Sequence, residues 1–233
     1  MTASRSFITS VSSTSGLTTY TFSGVSLGAP SSDRQIIICA ESRKTAGALC
    51  EIVACSIGGV AATVVAQQAS APTGTANYAG IASAIVPAGE TGDVSITFSV
   101  AQLRCGLQVY SLAGASVGAH RSAASLADNP SVALEVPAGG IATGCLSVAS
   151  SQAFDWVGLS QDHSAIVGGS LRTASASAEL ATAEAAKTMG VIRTSGTWST
   201  PVGVFASWGP AAATEPSLAR KRRLVAARRK YRV

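Results

Sequence analysis

Carboxylates, imidazoles, thiols and one run of cations are the residues here that could carry chemistry, and their spacing decides how far each gets. Asp155 beside Trp156, followed by Asp162-His163, is the one cluster that combines acid, imidazole and aromatic ring. Glycoside hydrolysis needs two carboxylates about 5–10 Å apart in a cleft. The other acids are scattered, and Asp33, Glu90, Asp93 and Asp128 fall in turn-forming stretches. A strand over 154–159 followed by a polar loop accounts for the cluster without any chemistry. There is no GxSxG elbow, P-loop, HExxH or GxGxxG opening a helix. The expectation is a protein that is not an enzyme, with no catalytic residue and no cofactor.

The five cysteines, Cys39, Cys50, Cys55, Cys105 and Cys145, include no CxxC pair, and His120 and His163 stand far from them, so no metal is expected. Cys39, Cys55 and Cys105 fall in apolar strand patterns, where a reduced thiol acts as a small hydrophobe. Cys50 ends a polar stretch and is the candidate for an exposed or intersubunit thiol.

The cations are concentrated. Arg220, Lys221, Arg222, Arg223, Arg228, Arg229, Lys230 and Arg232 are eight of the seventeen Lys and Arg residues. The other nine face all twelve acids, so the chain through residue 219 carries −3 and the tail +8. Leu224, Ala227 and Tyr231 would share one side of a short helix, which eight like charges oppose until a polyanion or acidic partner neutralises them. A solvated disordered end, docking onto an acidic protein and binding of nucleic acid all stay open for this segment.

The elements that must position these groups are strands. Charged residues make up 12% and apolar ones 47%, mostly Ala and Val, a composition that suits a thin-cored β protein better than a helical bundle. Strand patterns run over 18–22, 35–40, 51–57, 60–67, 78–86, 94–99 and 104–112, then 131–136, 141–149, 154–159, 171–180, weakly near 191–193, and 201–208. Gly58-Gly59 between two apolar runs predicts a hairpin over 51–67 that pairs Ile57 with Val60 and puts Val53, Cys55, Ile57, Val60, Ala62 and Val64 on a core face. Residues 41–45, with Gly47, read as a charged loop. Strict alternation over 173–180 places Ala174, Ala176, Ala178 and Leu180 on one face of a strand despite helical composition, and 183–187 is compatible with a helical turn. Two similar stretches, Ile85-Val-Pro-Ala-Gly89 and Glu135-Val-Pro-Ala-Gly139, either record a duplication or are ordinary turns, the simpler reading.

The fold expected is all-β, a two-sheet antiparallel sandwich of jelly-roll type. Residues 1–17 form an arm or edge strand, 18–210 the sandwich and 211–233 the basic tail. Trp156, Trp198, Trp208 and Tyr231 are candidate core or subunit-interface anchors. No apolar run reaches the roughly 18 residues needed to cross a bilayer, and the start lacks a secretion signal. A soluble, cytoplasmically made chain with no membrane partner is expected.

Tyr20-Thr-Phe-Ser-Gly-Val-Ser-Leu-Gly-Ala29, Ser56-Ile-Gly-Gly-Val-Ala-Ala-Thr63, Thr91-Gly-Asp-Val-Ser-Ile-Thr-Phe-Ser99 and Val202-Gly-Val-Phe-Ala-Ser-Trp208 resemble segments of β-rich structural proteins of tailed bacteriophages and prophages of proteobacteria. The resemblance implies a virion component, such as a head decoration, collar, tail or fibre protein, that forms a homo-oligomer and contacts other virion proteins. It does not extend to the tail. Two other classes stay open: a jelly-roll capsid protein whose basic arm contacts packaged nucleic acid, and a carbohydrate- or receptor-binding module using Trp156 or Trp198.

Overall fold

The computed structural model describes residues 2–212. The antiparallel sandwich expected from the sequence forms, and it forms twice. The first half contributes β1 (Ser4–Ser13), β2 (Leu17–Ser26), β3 (Gln35–Lys44), β4 (Ile52–Ile57), β5 (Val60–Ala61), β6 (Thr63–Ala69), β7 (Ala76–Ile85), β8 (Thr91–Gln102) and β9 (Arg104–Ala113). The second half contributes β10 (Arg121–Ser125), β11 (Ser131–Val136), β12 (Gly140–Val148), β13 (Phe154–Val157), β14 (Ser160–Val167), β15 (Leu171–Leu180), β16 (Glu184–Arg193) and β17 (Val202–Trp208).

Strand order reveals an internal repeat. In the first half an inner sheet β1-β9-β3-β7-β6 faces an outer sheet β2-β8-β4-β5; in the second, β10-β17-β12-β15-β14 faces β11-β16-β13. In each half the first strand pairs with the last, the second with the second-to-last and the third with the third-to-last. That is one long antiparallel hairpin rolled up, a jelly roll. The two Pro-Ala-Gly stretches are not its trace: one joins β7 to β8, whereas the other joins β11 to β12. They occupy different places in the roll and are ordinary turns.

The inner sheets pack against each other, so each is covered on both faces. This explains why Ile36, Ile37 and Ile38 are all buried: Ile36 and Ile38 face the outer sheet while Ile37 faces the other half. It also overturns the expected charged loop. β3 continues through Lys44, with Glu41, Ser42 and Lys44 fully buried, and the Lys44 ammonium donates to the Gly47, Ala48 and Pro72 carbonyls. Cys50, expected to be exposed, is also buried, because the 45–50 segment folds back against the core.

The Gly58-Gly59 hairpin forms with Ile57 opposite Val60, both glycines at positive φ. It holds for only two pairs. Beyond Ala62 the chain leaves the outer sheet and pairs as β6 with β7 in the inner one. A bulge between Ile52 and Ala54 turns β4 over, burying Ile52 and leaving Val53 59% exposed, so Val53 is not on the core face. Alternation correctly assigns Ala174, Ala176 and Leu180 to the buried outer-facing side of β15. Residues 183–187 are not a helical turn: β16 begins at Glu184, and its pairing with β11 overrides propensity.

Candidate functional site

The cationic segment with Tyr231 lies outside the described residues. The other expected anchors are spread out. Trp208 is fully buried among the residues joining the two halves and has no surface to offer a second copy. Trp156 and Trp198 are half-buried at one end of the second sandwich, each packed edge-on near Phe154 or against its ring (centroids 6.1 and 6.0 Å), with the Arg172 guanidinium 5.5 Å over that ring.

The structure separates Asp155 from Asp162-His163. Asp155 is exposed on β13, whereas Asp162 ties the two sandwiches together. Its carboxylate takes the Arg5 guanidinium at 3.0 Å, the Tyr110 hydroxyl at 3.1 Å and the Ser177 hydroxyl. His163 stacks on Phe7 at 6.0 Å, and burial lowers its pKa below the ordinary imidazole value. These groups bind β1 and β9 to β14 and β15. Among the described residues no three His, Cys, Asp or Glu side chains gather as a metal site requires.

The joint between the halves is oily at one end and polar at the other. Ile37, Cys39, Ile81 and Leu112 meet Ile141, Cys145, Val204 and Trp208. Gly106 permits the close approach: a Cβ there would lie 2.7 Å from Thr173 Cγ2. Arg43 and Arg104 of the first half donate to the 167–170 turn of the second. Within the joint Glu41 is fully buried, and neither carboxylate oxygen has a hydrogen-bond partner of good geometry. Burial, reinforced by the Cys145 thiol, raises its pKa well above the carboxylate range; the Gln108 amide alongside pulls weakly the other way. Burial of this kind favours the neutral, protonated form of the carboxyl.

Where the inner sheets splay apart, the halves leave a cleft of about 570 Å³. Gln35, Ser83 and Val65 form one wall, while Val117, His120 and Ser122 from the 114–120 connection and β10 form the other. Gln35 is 2% exposed and its Oε1 has no donor. At the rim one Glu135 oxygen meets Arg121 at 3.0 Å and His120 Nε2 at 3.2 Å. Sequence patterns missed this feature, since it is made by the meeting of two sandwiches; the only signal was a polar residue heading an all-isoleucine run.

The chain matches no family model, no curated protein and no solved structure.

Proposed function

We propose that this chain is a non-enzymatic structural component of a tailed-phage virion, such as a head decoration, collar, tail or fibre protein. It assembles with copies of itself through its sandwiches and is anchored by its cationic tail. The observation that carries this reading is the use of the described chain for two copies of one rolled β topology, clamped by a buried joint. Such a block has little to deform and presents many strand edges and Ser/Thr-rich faces on which neighbouring subunits can pair. The −3 body and +8 tail divide the work between scaffold and anchor.

Truncation at residue 216 tests the anchor. The full chain should incorporate into particles that lack it, and the truncated chain should fold identically but stay in the supernatant; equal incorporation would refute the tail's role. A second reading, favoured by the jelly-roll topology itself, is a capsid protein whose basic arm touches packaged nucleic acid. Eight phosphate contacts would give log K against log [salt] a slope of about −7 on duplex DNA. A slope near zero with retained particle binding selects the protein anchor.

A further inference from the structure

We propose that Cys39 and Cys145 form a redox lock across the joint, staying as thiols in a reducing medium and closing to a disulfide that ties the two sandwiches together in an oxidising one. The inference rests on the joint alone and is independent of the assembly role. β3 and β12 hold the middle position in the two inner sheets, and each carries one cysteine packed into the joint between them. Cys145 is the one cysteine of the second half, so any disulfide between the halves must use it. Cys50, Cys55 and Cys105 belong to the core inside the first sandwich, on the other side of its inner sheet from the joint. Cys39 alone is left to face Cys145.

The Cys145 Sγ lies 3.8 Å from the Gly80 carbonyl oxygen, and Gly80 stands next to Ile81, the residue directly opposite Cys39 in the β3–β7 ladder. The sulfur carried by β12 has thus crossed the joint to the backbone of the sheet that holds Cys39, and the two thiols are side-chain hydrogen-bonding neighbours. Two residues further along β12 the Ser147 hydroxyl reaches the Ser42 carbonyl at 3.4 Å, so the close approach continues along the strand. Both cysteines are fully buried, and a small-molecule disulfide reaches them only when the joint opens. The thiolate of one then attacks that disulfide, breaking its S–S bond and releasing one small thiol; the second cysteine displaces the other small thiol as the joint recloses. Two protein S–H bonds and one small-molecule S–S bond are exchanged for one protein S–S bond and two small-molecule S–H bonds. The cysteine pair is oxidised and the small disulfide reduced. The bridge closes a loop of about 100 residues, a length at which a cross-link strongly restricts the unfolded chain.

The test incubates the reduced full chain with oxidised glutathione at pH 8 in sub-denaturing urea, which opens the joint. Residual thiols are then alkylated in full denaturant, and the protein is weighed and peptide-mapped. Two of the five thiols should be lost, in a cross-linked peptide pair containing Cys39 and Cys145. With the urea removed, Tm should rise by about 5–15 °C and fall back on adding dithiothreitol. Cys145→Ala should abolish both the cross-link and the Tm rise, and Cys39→Ala should do so from the other strand if Cys145→Ala does not fold, whereas Cys50→Ala should retain both. The proposal is overturned if all five thiols remain alkylatable, if cysteines take up glutathione without a protein cross-link, if the bridge joins Cys50, Cys55 or Cys105 instead, or if a Cys39–Cys145 bridge leaves Tm unchanged or lowers it.

Discussion

Replacing Glu41 by Gln should stabilise the protein at neutral pH and flatten its pH dependence. In the folded chain this carboxyl is sealed between two sheets without a good hydrogen bond, and burial raises its pKa well above the ordinary carboxylate value. The native state therefore holds a proton that the unfolded state releases, and stability falls as pH rises above 4.5. The contribution is fully present below the unfolded pKa and is lost, at about 1.4 kcal/mol per pH unit, until the folded pKa is reached. Each pH unit between the unfolded and folded pKa therefore corresponds to roughly 3–6 °C in Tm for a chain of this size. Glutamine has the shape of the protonated acid and cannot ionise. Urea unfolding of both proteins from pH 4.5 to 8 should show a stability difference that starts near zero and widens with pH. Taking the difference cancels the titration of every other group, including His163. Parallel curves for the two proteins would refute the account of the joint.

Arg34 is buried and donates to the carbonyls of Leu27, Gly28, Val86, Ala88 and Gly89, so it pins the turn before β3 to the turn after β7. Arg34→Lys, with three donors and no planar fork, should cost about 2–4 kcal/mol in denaturant unfolding. Gly106→Val should cost about 1–3 kcal/mol by driving its side chain into Thr173, and Thr173→Ala should recover part of that in a double-mutant cycle. Burial pushes the Cys50 and Cys55 thiols up to about 12 and raises the other three, so a thiol reagent at pH 8 should react slowly with native protein and with all five cysteines once urea is added.

Much of the strand content was legible because alternation and turn chemistry are local. The Gly58-Gly59 turn forms, although its hairpin runs for only two pairs, and the 173–180 alternation folds as its period requires. What stayed hidden depends on partners distant in sequence. β14 is an edge strand of mostly polar residues, Ser160-Gln-Asp-His-Ser, and β10 is Arg-Ser-Ala-Ala-Ser, so neither has the apolar pattern that marks a strand; pairing with β15 and β17 makes them. Glu41 and Lys44 looked like surface charge because nothing local signals that a second sandwich covers β3. The repeated topology is likewise a property of pairing order, and the two similar Pro-Ala-Gly stretches are turns that are not equivalent in the roll.

The claim that this chain is built for assembly is tested most directly by quantifying it in density-purified particles from the cell that encodes it. The account predicts a fixed copy number per particle, lowered by nuclease treatment of opened particles if nucleic acid holds the tail and unchanged by it if an acidic protein does. Absence from particles whose other components are all accounted for would contradict it.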